Sequence, residues 1–516
     1  MIVDPTALPD DVDALKRIIA GMAQDALHAR TLIEKLRFEL ARLKRAQFGI
    51  SSEKMSGRVA QLELAIEALE MVEAEQLSAA PTIADVIETA ANPKPARRSL
   101  PDHLPREEVI HPGPCACPAC GGALRRIGAD VTETLDYVPG RFKVVRHVRE
   151  AYSCRTCDSV VQAPAPHHPI ARGRAGPGLL AHIAVAKFDD HLPLYRQAEI
   201  FAREGVTLET STLSGWVGAT TAALMPLVDL LRRDVITGSE GLHGDDTPVP
   251  VLAPGTGKTK TGRLWSYVRD ERPYGGERPP GAVFIASPDR RSERPLAHLA
   301  TFSGVLQADG YAGFNGLYES GRIVEAACWA HTRRKFFDVH AATGSAVAHE
   351  ALERIGALYE VERAVHGKPP DERRRRRQAR SRPLAEALRA WADATLPQLS
   401  GRSELAGAFR YMLTRWTALT RAFDDGRLAL DNNPAERALR GVAVGRKNYL
   451  FAGSDRGADR AAALYSLIET AKLNGLNPEA YLRDVLARIA DHPAQRLANL
   501  LPWNWLPLHS VAQTAA

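Results

Sequence analysis

Three acidic residues, each in a distinctive local sequence, offer together a chemistry that none could carry alone. Asp245 lies in GLHGDDTPVPV (241–251), Asp309 in LQADGYAG and Glu436 in NNPAERALRG. Carboxylates are hard oxygen ligands of the kind Mg²⁺ prefers. Two such ions about 4 Å apart can clamp the attacking and leaving oxygens of an in-line phosphoryl displacement. A split three-carboxylate site is therefore expected. Each member also has a plainer reading. An isolated Asp is commonly a turn or solvated residue, and Asp246 beside Asp245 projects to the opposite face of a strand. Spacing alone does not decide which of the two faces the site. Asn433, Pro434 and Glu436 equally fit a helix start in which Asn433 caps and Glu436 completes something like a capping box.

A second chemistry-bearing group is made of thiols. Cys117/Cys120 in CPACGG and Cys154/Cys157 in CRTC form two C-x-x-C knuckles, the four thiolates that one tetrahedral zinc takes. Between them, TETLDYVPGRFKVVRHVREAYSC alternates like paired strands, which suits a zinc ribbon. The rival is a cluster of free buried thiols. Cys115 is a further thiol that could substitute as a ligand, though its C-x-C spacing to Cys117 suits sharing one metal poorly. Cys328 reads as a buried packing residue on a strand.

The elements that must position these groups can be traced along the chain. Val12, Ile19, Ala26, Ile33 and Leu40, with Leu15, Met22, Ala29, Leu36 and Leu43, give a heptad seam over residues 12–43. It reads as a coiled coil pairing two copies, or as an amphipathic helix packed on its own protein. A second helical run covers 57–77, and the Ala/Pro-rich stretch 78–105 reads as a linker. Residues 178–231 are helical in pattern. Within them one helix ends at Gly205 and another opens near Glu209–Thr210, as in a helix-turn-helix or an ordinary helical hairpin. Beyond Gly238 come expected strands over 241–251, 262–270, 281–287, 304–310 and 322–331, with a helical piece at 294–302. Strand-strand-strand-helix-strand is the order of the ribonuclease H-like fold, which sets one carboxylate on the first strand and another after the fourth. Residues 338–425 read as a helical insertion, with DERRRRRQARSR (371–382) in a loop that is either solvated or a phosphate contact.

Basic side chains gather near two of the acidic motifs. Arg437, Arg440, Arg446 and Lys447 follow Glu436, and Arg333, Arg334 and Lys335 follow His331. Exposed charge explains any one of them, but the clustering favours contact with DNA. The stretch GTGKT (255–259) resembles the end of a phosphate-binding loop. That motif's first glycine would be residue 252, which is Leu252, and a strand follows, so no ATP requirement is expected.

The bulk properties set wide bounds. A chain of 516 residues with 45% hydrophobic and 25% charged content is expected to form three or more globular domains. A net charge of +6 and pI near 9.0 lean towards a polyanionic partner. No apolar run approaches the roughly 18 residues of a membrane span, and MIVDPTALPDDVD lacks the order of a signal peptide. A cytoplasmic, nucleoid-associated protein with no membrane partner is expected.

With these residues assembled, the chain resembles the large DDE-type transposases of insertion-sequence family 66. The resemblance runs nearly the full length: FGISSEK, CPACGG with CRTC, DHLPLYRQAEIFAREGV, GDDTPVPVL with KTKTGRLW, LQADGYAGFN, CWAHTRRKF, DNNPAERALRGVAVGRKNYLFAGSDRGA, YSLIETAKLNGLNPEAYL and LLPW. It implies Asp245, Asp309 and Glu436 as catalytic ligands of two Mg²⁺ (or Mn²⁺), besides one structural Zn²⁺. One departure is Asp246, where the family often has glutamate. The implied architecture is multidomain α+β. It comprises a helical oligomerisation region (1–77), linker (78–105), zinc ribbon (106–165), helical DNA-binding-like domain (166–236), ribonuclease H-like catalytic domain (237–490, insertion about 338–425) and tail (491–516). The implied partners are element ends and target DNA, a second copy of the chain, and small accessory proteins of the same element. The implied activity is 3′-end cleavage and strand transfer. Two rivals are a catalytically silent DNA-binding regulator and a nuclease that cuts without joining.

Overall fold

The computed structural model describes residues 100–507, apart from 101, 103, 115, 139, 171–172, 254–257 and 450. The heptad stretch, nearly all of the linker, Cys115 and most of the GTGKT stretch lie outside the described residues.

The cysteine region is a four-stranded sheet. The long strands β2 (Leu124–Val138) and β3 (Arg141–Cys154) pair antiparallel, with Gly140 in the left-handed region (φ 85°) at their turn. Strand β1 (Arg106–His111) pairs parallel with the middle of β3, and β4 (Val160–Gln162) antiparallel with its end. The turn end of this ribbon is not free. Leu135, Tyr137, Phe142 and Val144 are buried in the same apolar core as helix α1 (Pro177–Phe188). Helices α2 (Leu194–Arg203) and α3 (Thr210–Thr237) follow, with the turn at Gly205 as expected. Helix α3 is long and apolar enough to cross a membrane, which the sequence reading had excluded for every segment. More than half of its apolar window is buried inside the protein, where Leu224, Leu227, Leu231 and Val235 pack in the main core. The segment expected as a helical DNA-binding-like domain therefore shares one core with the sheet that follows.

That sheet has the order β7-β6-β5-β8-β9. Strands β5 (Gly241–Ala253), β6 (Lys258–Arg269) and β7 (Gly281–Ser287) form an antiparallel meander. After α4 (Glu293–His298), β8 (Gly304–Ala308) pairs parallel with β5. After α5 (Asn315–Glu319), β9 (Ile323–Ala327) pairs parallel with β8. Gly304 is required where β8 begins: its φ is 146°, and a Cβ there would lie 2.2 Å from the Glu240 carbonyl oxygen. The fifth strand is shorter than expected. Cys328 caps helix α6 (Trp329–Thr343), whose first N–H donates to the Leu430 carbonyl rather than to a strand. A short buried apolar run such as EAACWA carries no periodicity that separates strand from helix start.

The insertion runs through α6, α7 (Ala346–Val365), α8 (Pro370–Arg376), a π-helical turn (Arg377–Ser381), α9 (Arg382–Thr395), α10 (Glu404–Thr414) and α11 (Trp416–Thr420), around a second core containing Trp329, Phe336 and Phe409. The arginine run expected in a loop is helical instead. Arg373 and Arg377 point inward at 2% and 0% exposure and pair with Glu362 at 2.9 and 2.6 Å. Arg377 also donates to the carbonyls of Ala422 and Leu428. Composition hides this, because a buried arginine needs partners that sequence does not place beside it.

Helices α12 (Asn433–Ala438), α13 (Arg440–Asn448), α14 (Asp455–Leu473) and α15 (Pro478–Arg488) complete the fold. Helix α14 closes the open edge of β7. Phe284 N–H donates to Ser466 Oγ at 2.8 Å, and Thr470 Oγ1 both accepts from Ala282 N–H and donates to Ala282 O at 3.0 Å. Hydroxyls thus take the edge groups that another chain would otherwise pair with.

Candidate active site and metal centres

The parallel register of β5 and β8 places Gly244 opposite Ala308, so Asp245 and Asp309 are the next residues on neighbouring chains. Both stand at the carboxyl end of the parallel pairing, where crevices in such sheets form. Asp309 Oδ1 accepts from Tyr311 N–H at 3.1 Å, and its side chain is 23% exposed.

Glu436 comes from the far side of the insertion and is carried by a buried lock. Asn432 is wholly enclosed. Its Nδ2 donates to Gly244 O at 2.8 Å, its Oδ1 lies 3.2 Å from His243 Nδ1, and its N–H reaches Cys328 Sγ at 3.2 Å. The amide nitrogen is used on a carbonyl, so Oδ1 must accept, and His243 carries its proton on Nδ1. Burial pushes the His243 pKa down to about 4, against the pull of this bond, and keeps the ring neutral. One residue beyond the lock, α12 begins. Asn432, not Asn433, is its N-cap, and no side chain caps it. The capping-box alternative for Glu436 therefore does not hold, and its carboxylate stays available.

The neighbouring aspartates separate by their partners. Asp246 is 1% exposed and held by Arg263 at 3.1 Å and Arg290 at 2.8 Å. Among the described residues Asp245 has no ion-pair partner. Its pKa is raised to about 7, by burial first and then by the charges of Asp309, Asp246 and Glu436, against a bond from Asp246 N–H. Asp245 is thus the carboxyl that senses both distant acids. The three are not drawn together as tightly as a closed metal site. Among the described residues, the groups with all ligand atoms within 4.8 Å are the four cysteines and Cys328–His331–Glu436.

Arg290 was not singled out from sequence. It bridges Asp246 to Asp309 Oδ2 (3.7 Å), lies 3.9 Å over the Tyr311 ring, and accepts through its carbonyl from the Tyr311 hydroxyl. Nothing in SPDRRSERP distinguishes it from Arg291, which is largely exposed. Arg415, from the insertion, donates to Gly310 O at 2.8 Å and so fixes the loop after Asp309.

Arg333, Arg334 and Lys335 are exposed on α6, and Arg437, Arg440 and Lys447 are exposed around α12 and α13. Arg446 differs: Nη1 donates to Pro248 O at 2.6 Å and ties α13 to β5. In the ribbon, Cys117–Cys157, Cys120–Cys154 and Cys120–Cys157 sulfurs are 3.4, 3.6 and 3.4 Å apart. Tetrahedral zinc with bonds of about 2.3 Å sets such edges at about 3.8 Å, so the residues fit the ion. Gly122 allows the close approach, since a Cβ there would lie 3.3 Å from Cys154 Sγ.

Comparison with known proteins gives a consistent result. Residues 172–460 match the family model described as Transposase IS66 family, and 466–503 match the IS66 C-terminal element. Residues 114–158 match the zinc-finger binding domain of transposase IS66, and 35–109 the model described as Transposase C of IS166 homeodomain. Two similar proteins are both from Sinorhizobium fredii (strain NBRC 101917 / NGR234). Uncharacterized protein y4hP is 44% identical over 92% of this chain and 89% of its own length. Uncharacterized protein y4jD is 39% identical over 96% of this chain and 97% of its own length.

Proposed function

Because the chain belongs to the IS66 transposase family, we propose that it binds the ends of an insertion sequence and catalyses metal-dependent 3′-end cleavage and strand transfer. The observation that carries this reading is the convergence on Asp245. The β5–β8 register sets Asp245 and Asp309 side by side, and the Asn432 bond to Gly244 O brings the Glu436 helix to the same strand. Asp245, buried and without an ion-pair partner among the described residues, feels the charge of both acids. Such a cluster fits divalent cations, and Asp245, Asp309 and Glu436 would hold two Mg²⁺ (or Mn²⁺). Bound there, the ions would neutralise charge on the attacking and leaving oxygens. The sheet order, with three antiparallel strands and two parallel ones, supports a ribonuclease H-like catalytic domain.

The chain's own residues do the positioning. Asn432 fixes Glu436 relative to β5, Arg415 fixes the loop after Asp309, and Arg290 holds Asp246 away from solvent. The exposed residues Arg333, Arg334, Lys335, Arg437, Arg440 and Lys447 contact backbone phosphates, and the zinc ribbon contributes to end recognition. Residues 12–43 pair two copies so that both ends are handled together.

The test is cleavage and joining of labelled element ends with Mg²⁺, comparing wild type with Asp309→Asn. Activity lost in the variant with DNA binding retained is the expected result. Binding without cleavage in either protein, with accessory partners and Mn²⁺ supplied, favours a silent DNA-binding regulator. Cleavage that survives Asp309→Asn removes Asp309 from the reaction.

A further inference from the structure

We propose that Cys328, His331 and Glu436 form a second site for a thiophilic divalent cation, zinc above all, separate from the four-cysteine centre. Two segments build it. Cys328 ends the β9 connection and caps α6, His331 lies one turn into the same helix, and Glu436 arrives on α12 behind the Asn432 lock. A residue and its third neighbour on a helix share a side, so thiol and imidazole face the incoming carboxylate together. The sulfur, an imidazole nitrogen and a carboxylate oxygen all fall within 4.8 Å of one another. His331 Nδ1 and Glu436 Oε1 are 3.6 Å apart, too long for a hydrogen bond. That separation is near the edge of about 3.4 Å that two bonds of about 2.1 Å make around tetrahedral zinc.

Two further observations point to a ligand. His331 Nδ1 is enclosed, yet it makes no hydrogen bond. Cys328 Sγ accepts the Asn432 N–H at 3.2 Å, the outer-shell donor that a metal-bound thiolate commonly has. Thiolate, imidazole and one carboxylate are a borderline-soft set that suits Zn²⁺, whereas Mg²⁺ takes oxygen ligands in near-octahedral array. Three protein ligands leave a fourth position open. Glu436 belongs to both arrangements, so a zinc ion here holds it beside Cys328 and away from Asp245 and Asp309. Free zinc is then an inhibitor that acts through this glutamate. The inhibition rests on the proposed catalytic role of Glu436, but the site itself does not.

Zinc content of the purified full chain, equilibrated against buffered zinc and measured by atomic emission, tests the site whether or not the protein cuts DNA. Two ions per chain are expected in wild type and one in Cys328→Ala. In His331→Ala, a half-exposed position that tolerates substitution should Cys328→Ala fail to fold, affinity for the second ion falls at least about tenfold. With cobalt in place of zinc, the thiolate charge-transfer absorption drops in Cys328→Ala by one thiolate's share while that of the four-cysteine centre stays. One ion per chain in wild type overturns the proposal, as does a second ion held unchanged by His331→Ala.

Discussion

At the scale of single residues the site is governed by the cost of burying charge. Asp245 keeps its proton on folding because its pKa stands at about 7 instead of 3.8. Between those values the native chain binds more protons than the unfolded one, so this residue's contribution to stability falls as pH rises through the window and is lowest above about 7. In metal-free protein at pH 8, Asp245→Asn is therefore expected to raise stability by roughly 2–4 kcal/mol, with the gain vanishing towards pH 4. Urea unfolding of both proteins across that range checks it, and a gain that grows on acidification has the wrong sign. Asn432 is the opposite kind of residue, fully satisfied while fully buried. Asn432→Ala leaves Gly244 O and His243 Nδ1 without partners, at about 2–3 kcal/mol. It also frees Glu436, so activity is expected to fall by more than the folded fraction does. Cleavage assayed well below the melting point separates the two effects.

At the scale of elements, what matters is which face a charged or polar run turns inward. The run DERRRRRQARSR continues from α8 through a π-helical turn into α9, and that geometry sends Arg373 and Arg377 inward while Arg374, Arg375 and Arg376 stay exposed. Arg377→Ala leaves Glu362 half-paired and two carbonyls orphaned, and is expected to cost about 3–5 kcal/mol. Arg375→Ala, on the same run, should change stability by less than about 0.5 kcal/mol. Thermal melts of the two variants distinguish a structural run from a merely basic one, and equal effects would contradict this division. The same logic explains the hydroxyls of α14: Ser466 and Thr470 cover an edge strand rather than a reaction centre.

At the scale of the whole molecule, the cysteine-bearing ribbon and the five-stranded sheet are joined through one core. The turn end of the ribbon contributes Leu135, Phe142 and Val144 to that core, and the cysteines stand at its far end. Chelation of zinc is expected to abolish hydrogen-exchange protection around Cys117–Cys120 and Cys154–Cys157 and to leave it at 135–144. Collapse of protection over both ends would mean that the metal holds more than the knuckles. For DNA, replacing Arg437 and Arg440 with alanine removes two exposed cations. The dependence of log affinity on log salt should lose about 1.8 of its slope if each meets a phosphate, measured by fluorescence anisotropy between low and moderate salt. An unchanged slope would place the DNA elsewhere.

Local patterns were enough to reveal many of the elements. The paired C-x-x-C units, the strands over 241–287 and the turn at Gly205 are legible because each follows from spacing along a few neighbouring residues. The end of β9, the helical form of the arginine run and the place of Arg290 are not. Each depends on partners far away in the chain: Leu430 for the start of α6, Glu362 for the buried arginines, Asp246 and Asp309 for Arg290. The choice between Asp245 and Asp246 was open for the same reason. Alternation along a strand says that two neighbours differ in direction, but only packing says which one meets two guanidinium groups and which is left among acids. Sequence thus determined which residue types were available and most of the elements that carry them. Tertiary structure decided their charge state and partners, because burial and opposite charge act through space and not along the chain.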